Sequence, residues 1–592
     1  MPFQPLPQRD LTPSKVRTEV SISSESETRS PLLRHLSASY RPIILLTLLC
    51  LALYLPGIAS LPPTDRDEAR YLQATRQMME TGDYVRIRFQ HTEREKKPVG
   101  VHWLQALVAR PLGGEAAPVW AYRIPSLVGA LTAVLLTFWI GVRLLSREAA
   151  FCGAVALGST LVLVAEAHLA KTDAILLAMT VATIGPLVSA FAAAPLRRAE
   201  AIVLWAALAV GTLVKGPVLP GLTATTTIAL ALLFPTSRTS ALRSLRPVMG
   251  IPLAASIIGP WVIAITIATG GGFFSRAFVG DIAPKLVGVH ESHGGFPGYY
   301  AALLLLTFWP WSLIVAPAIA AAWRARHDRA MRALAAWIVP AWFVIELVPT
   351  KLPHYSLPLF PPLALLVGHW LTTAPSWKNA QRGAVGILSK GWMVATGALV
   401  VLFIGAALAF GPLCLLVAIP LAVTLSLVIR HIIRLKDSPA LAVARPLLLS
   451  AVITFPLFFG LLFPHLRSFW LSRSLHQELA MWPVERASAI AIAGYKEPSA
   501  VFLLGTNVVL TDGAGAAAAI REGSATVAVV EQRELDVFTQ SLGICHGTLE
   551  RGTPINGFNY SKGKYMTLNL FRKNAPCPSD VAAEPPANHP VT

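Results

Sequence analysis

From residue 42 onward the chain is a succession of apolar runs, each about as long as a bilayer is thick, divided by short polar turns. A membrane-crossing helix needs roughly 20 mostly apolar residues, or about 17 when short. That ruler gives about thirteen spans, near 42–60, 122–145, 149–166, 174–194, 201–215, 217–234, 248–269, 299–322, 334–349, 355–373, 392–410, 412–430 and 446–465. Hydrocarbon offers no water to backbone amides, so such runs must satisfy their own hydrogen bonds as helices. A chain of 592 residues that is 54% hydrophobic and 14% charged is too apolar to be divided among soluble cores. The expected fold class is therefore an α-helical polytopic membrane protein.

Charge sets the topology. Lys and Arg outnumber Asp and Glu by 50 to 32, but a nucleic-acid reading needs a basic face on a soluble domain. With the N-terminus inside, every inner loop is basic: Arg143 and Arg147, Arg197 and Arg198, then "SRTSALRSLR", "WRARHDRAMR", "KNAQR" and "RHIIRLK". Adding or removing one span would throw the later basic loops outside. Residues 1–41, rich in Ser, Pro and Arg and lacking a cleavage site, read as a disordered cytoplasmic tail. Residues 42–465 form the membrane domain, with outer loops at 61–121 and 270–298. The odd span count places 466–592 outside, where "SAVFLLG", "ATVAVVE" and "KYMTLNLFRK" read as strands and "GAGAAAAIREG" as helix. This α/β unit carries no nucleotide or zinc motif, so it is expected to be an accessory. Cys545 and Cys577 lie within it, and whether they pair is left open by the sequence.

Charge beside a bilayer is costly and hence informative. Five charged residues crowd into the start of the first outer loop, "TDRDEARYLQAT" at 64–75, just after an apolar run. Asp67, Arg70 and Tyr71 follow helical spacing, with Leu72, Ala74 and Met78 available for an apolar side, suggesting an interfacial helix capped by Asp65. Lys96, Lys97, Lys285, Lys351, Arg70 and Tyr355 all fall on the same side of the membrane as Asp67. Converging, they would make a cationic pocket for a lipid-linked phosphate; taken singly, the lysines can equally be snorkelling to headgroups. The turn "EAHLAKTD" sets Glu166, His168, Lys171 and Asp173 between two apolar spans. A structural pair of Lys171 with Asp173 and a catalytic or metal role both fit it. His290, Glu291 and His293 form another candidate ligand cluster, or simply a polar loop.

In order along the chain, "DEARY" at 67–71, "TGDYV" at 81–85, "KKPVGVHW" at 96–103, "KTD" at 171–173, "KGP" at 215–217 and "KLPHYSLPLFPPLALL" at 351–366 resemble the GT-C membrane glycosyltransferases, specifically the family 39 aminoarabinose transferases and protein mannosyltransferases. The resemblance implies transfer of a sugar from a polyprenyl-phosphate donor to an envelope glycolipid, of lipid A or core type, at the periplasmic face of a bacterial inner membrane. It makes Asp67 the catalytic carboxylate, Asp173 a second acidic site residue, and Lys97 and Tyr355 donor-phosphate ligands; Arg70, Lys285 and Lys351 join them as cations of the same face. Inversion at the anomeric carbon is expected. A protein Ser or Thr acceptor is the alternative, and a transporter using Glu346 and His369 is the rival from another class. The sequence has Lys96 and, loosely placed, Asp281 where the aminoarabinose members have metal-associated residues, which leaves cofactors unassigned and a divalent metal open.

Overall fold

The computed structural model describes residues 40–277, 279, 295–296, 298–377, 384–410, 412–435, 438–482 and 489–574. Lys285, Asp281, His290, Glu291, His293, Cys577 and the tail to residue 39 lie outside the described residues. Each of the thirteen apolar runs contains helix. Among the described residues, however, seven helices can cross a membrane by length and composition, or eight if Arg147–Gly158 and Leu161–Ala167, bent by 61°, count as one span. Proline explains much of the shortfall. The first run is helical only over Arg41–Tyr54, ending before Pro56 and Gly57, whose φ of 95° no continuing helix adopts. The 299–322 run divides into Tyr299–Thr307 and Ser312–Arg324 around Pro310. The 355–373 run opens as a tight 3-10 turn, Pro353–Leu359, before the Phe360–Thr373 helix.

Helices inside a membrane have little hydrophobic drive to associate, so close backbone approach matters. The Arg147–Gly158 and Phe360–Thr373 helices meet glycine to glycine: a Cβ on Gly368 would stand 2.1 Å from the Ala149 carbonyl oxygen, and one on Gly153 2.8 Å from that of Ala364. Elsewhere three large tryptophans fill the bundle with their indole N–H groups satisfied. Trp309 donates to the Thr396 hydroxyl at 3.1 Å, Trp311 to that of Ser159 at 2.9 Å, and Trp392 to the Pro310 carbonyl at 2.9 Å.

The first outer loop is folded. Its helix, Asp67–Thr81, is followed by a two-residue ribbon, β1 (Arg88–Phe89) with β2 (Thr92–Glu93), and the Gly100–Ala109 helix. Asp65 does not cap the Asp67–Thr81 helix. The preceding residue is Arg66, no side chain caps the helix, and the Asp65 carboxylate instead accepts from the Ser499 amide at 3.2 Å. The helix is packed in protein: nine of its fifteen residues are buried, between Gly100–Ala109 and the C-terminal Pro498–Leu504 helix. Its polar side chains also bond to protein, with Gln73 donating to Thr506 at 2.8 Å and Arg76 to the Phe502 carbonyl at 2.8 Å.

Beyond residue 470 a six-stranded sheet is built from β3 (Ile490–Ala493), β4 (Val509–Thr511), β5 (Val527–Glu531), β6 (Leu549–Arg551), β7 (Ile555–Asn559) and β8 (Lys564–Lys573). Its order is β4-β3-β5-β8-β6, with β7 also on β8; the β3 pairings to β4 and β5 are parallel and the rest antiparallel. "ATVAVVE" and "KYMTLNLFRK" are strands and "GAGAAAAIREG" is helix, capped by Asp512. "SAVFLLG" is helix, not strand. Pro498 sits in its first turn, where a missing N–H costs nothing, and a short apolar run has no period to separate the two states. Cys545 is disulfide-bonded, whereas Cys50, Cys152 and Cys414 are free.

Candidate functional site

The site is organised by a residue next to the predicted one. Glu68 is fully buried, and its carboxylate accepts from Arg123 Nε at 2.8 Å, from the Ala170 amide at 2.8 Å and from the Thr64 amide at 2.8 Å. Burial opposes its ionisation, but the Arg123 guanidinium and these amides hold the carboxyl below the usual range. One side chain thus ties the start of the Asp67–Thr81 helix to the turn that carries Lys171 and Asp173.

Asp67 consequently faces out of that anchor, its side chain 39% exposed, with Arg70 Nη1 at 3.9 Å. Burial pushes its carboxyl toward the neutral form, yet Lys97 and Lys171 chiefly, then Arg70, hold it below the ordinary carboxylate range. Lys97 donates to the Tyr71 hydroxyl at 2.8 Å and stands 5.3 Å from that ring's centre. Desolvation works against its charge, but Tyr71, Asp67 and Asp173 raise its pKa above the ordinary lysine value. Asp67 and Lys97 are therefore held as an ionised acid and an ammonium on one face.

Beneath them lie two acid–ammonium pairs. Lys171 donates to Glu166 at 2.8 Å, and Asp173 pairs with Lys215, so the expected Lys171–Asp173 pair does not form. Asp173 opens one helix and Lys215 closes its neighbour, Arg198–Lys215, which brings them together. His354 stands between the pairs, 3.9 Å from Glu166 and 3.8 Å from Asp173. Its burial outweighs the pull of Asp173 and lowers its pKa to about 3, leaving a neutral imidazole at physiological pH. Tyr355 packs edge-on to His354 at 5.1 Å, and its ring lies 5.2 Å from the Lys215 ammonium.

Other candidates are placed elsewhere. Lys351, 4% exposed, donates to the Glu346 carbonyl at 2.6 Å and pairs with its carboxylate at 3.1 Å. Glu346 also receives the Tyr300 amide at 3.2 Å. His168 directs its nitrogens at the carbonyls of Val164 and Pro56 and stacks on Phe459 at 4.4 Å. Lys96 is exposed. Sequence reasoning passed over Lys215 and His354, although both sit inside the quoted "KGP" and "KLPHY", and over Arg123, a charge at the outer end of an apolar span. Among the described residues no three His, Cys, Asp or Glu side chains group as metal ligands, and Glu166 and Asp173 each hold an ammonium. Glu166 and Asp173, so paired, are not free to ligate a divalent metal.

Known proteins resemble this chain in sequence and in fold. The family model described as dolichyl-phosphate-mannose-protein mannosyltransferase matches residues 96–264. Among curated relatives, the undecaprenyl phosphate-alpha-4-amino-4-deoxy-L-arabinose arabinosyl transferase of Pectobacterium carotovorum is 26% identical over 337 residues, covering 54% of this chain and 59% of that protein. That of Pseudomonas aeruginosa strain UCBPP-PA14 is 28% identical over 337 residues, covering 55% and 59%. The chain thus spans 59% of the length of these relatives. The crystal structure of ArnT from Cupriavidus metallidurans bound to undecaprenyl phosphate superposes with a TM-score of 0.70 at 16% identity, covering 90% of this chain and 98% of that one. Its apo form gives 0.65 at 17% identity, covering 89% and 96%. These two structures establish a shared fold, and the sequence matches make this multi-pass membrane chain similar to the aminoarabinose transferases.

Proposed function

We propose that the protein moves a sugar from a polyprenyl-phosphate donor to an envelope glycolipid of the lipid A or core kind, at the periplasmic face of a bacterial inner membrane. The observation that carries this reading is the placement of the partly exposed Asp67 carboxylate among Arg70, Lys97 and Lys171. The relatives, named as transferases of aminoarabinose from undecaprenyl phosphate, support the donor class. In this reading residues 42–465 hold the chemistry and 466–592 lie outside the membrane.

An acceptor hydroxyl attacks the anomeric carbon from the face opposite the phosphate. The new C–O bond forms as the bond to the phosphate oxygen breaks, with inversion, and the electron pair leaves on the polyprenyl phosphate. Asp67 takes the hydroxyl proton. Lys97 and Arg70, with Tyr355 and Lys285 as further donor contacts, stabilise the charge that grows on the departing phosphate. Asp173 acts on the donor side by fixing Lys215 against the Tyr355 ring. An anionic donor offsets the cations that depress Asp67, so donor binding itself makes this carboxylate a stronger base.

The test is transfer from a radiolabelled polyprenyl-phosphate sugar to lipid A in reconstituted bilayers. Asp67→Asn should insert normally and lose about 10² to 10⁴-fold in rate; undiminished transfer would refute the assignment. The family match to protein mannosyltransferases favours one other acceptor, a protein hydroxyl. Mass spectrometry of a deletion strain separates the two: a missing envelope-lipid sugar supports the glycolipid, and a missing protein glycan the alternative.

A further inference from the structure

Asp67 is reached through a strained residue. Arg66 has a φ of 68°, a region that residues with a side chain adopt only when the surroundings compel it. Two of the contacts that hold it come from the turn of a single hairpin and two from the start of the Pro498–Leu504 helix. The Asp65 amide donates to the Tyr560 hydroxyl at 2.6 Å, Arg66 Nη2 donates to the Ser561 carbonyl at 3.4 Å, and Arg66 Nε stands 3.5 Å from Glu497, which is itself fixed by Asn559 at 2.9 Å. The fourth is the Ser499 amide on the Asp65 carboxylate.

Tyr560 is the first residue after β7, in the turn to β8. Its ring stacks on Phe469 with centroids 6.2 Å apart and meets Trp470 edge-on at 6.1 Å. Those two residues lie in the short connection between the last membrane helix and the C-terminal unit. The ring is therefore clamped at the junction of the two parts, and its hydroxyl is delivered to the backbone two residues before Asp67. On the far side of Asp67, Glu68 is locked by Arg123. Asp67 sits between two fixed points, one supplied by the membrane bundle and one by a unit that carries no catalytic motif.

We infer that Tyr560 is a positioning residue for Asp67, through which the C-terminal unit holds the strained Arg66 turn and sets the reach of the catalytic carboxylate. The inference rests on the glycosyl-transfer reading for its consequence in rate, but not for its structural content. Without the hydroxyl, Arg66 relaxes toward an ordinary backbone conformation and the first turn of the Asp67–Thr81 helix shifts. A small misplacement of a reacting group is enough to lower a rate by an order of magnitude or more.

The test uses the full-length protein in lipid nanodiscs. Tyr560→Phe keeps the ring packing and removes only the hydroxyl. The expected result is a kcat about tenfold lower with a smaller change in KM for the donor, because Lys97 and Tyr355 lie on other elements while Arg70 belongs to the shifted turn. Amide exchange across residues 65–68 should accelerate while that of β5 stays as in the parent. An unchanged kcat in Tyr560→Phe, or unchanged exchange at 65–68, overturns the inference. If the parent protein transfers no sugar at all, the functional reading fails separately, and the exchange measurement alone decides whether Tyr560 holds the turn.

Discussion

Arg123 and Glu68 form a two-point ion pair in which neither side chain exposes any surface: Nε reaches Oε1 at 2.8 Å and Nη2 reaches Oε2 at 3.1 Å. The remaining guanidinium protons go to the carbonyls of Ile58, Leu61 and Pro62. Burying two charges is costly, and such a pair is tolerable only when its other hydrogen-bonding groups are also satisfied. Removing one partner leaves the other charged and unpaired. Glu68→Ala should therefore cost about 3 to 5 kcal/mol, read as a fall in thermal stability of the detergent-solubilised protein. Arg123→Ala should cost a similar amount, and the double variant less than the sum. A Glu68→Ala protein as stable as the parent would show the pair to be incidental.

The Asp173–Lys215 pair predicts a different pattern, because it lies inside the proposed site. Asp173 is 5% exposed, so Lys215→Met strands a carboxylate whose nearest remaining histidine, His354, is 3.8 Å away. Stability should fall by about 3 kcal/mol or more. Asp173→Asn added to Lys215→Met removes the stranded charge and should restore much of that stability. Transfer activity should not return with it, since the ammonium beside Tyr355 is still missing. Recovery of both together would mean that the pair serves only the fold.

The sequence made the helices legible because hydrocarbon forces every apolar run to satisfy its own backbone, and each run does contain helix. It did not reveal how many are long enough to span, because prolines such as Pro56 and Pro310 cut runs that hydropathy averages over. The acid at the head of "DEARY" stood out as a cost paid beside a bilayer. The partners did not: Lys171 pairs with Glu166 five residues back and Asp173 with Lys215 forty-two residues on, and local spacing cannot choose between them. The role of Asp65 was hidden for the same reason. N-cap chemistry is local and readable, whereas its contacts with Ser499 and Tyr560 cross more than 430 residues.

The acid limb of the pH profile follows from the cations around Asp67. Its folded-state pKa is depressed, with burial opposed by Lys97 first and then Lys171, so the carboxylate is already ionised well below neutrality. As a base it acts only when ionised, and activity is lost as pH falls through that depressed value. The kcat/KM of the parent, which reports the free enzyme, should thus hold down to about pH 4, the ordinary carboxylate range, and fall only below it. Lys97→Met removes the largest opposing cation and leaves burial in place, so the Asp67 pKa must rise. Its kcat/KM should be lower throughout, with an acid limb displaced to higher pH. A Lys97→Met enzyme that loses rate but keeps the parent's acid limb would mean that Lys97 binds the donor without influencing the base, and that the depression of Asp67 comes from Lys171 and Arg70 instead.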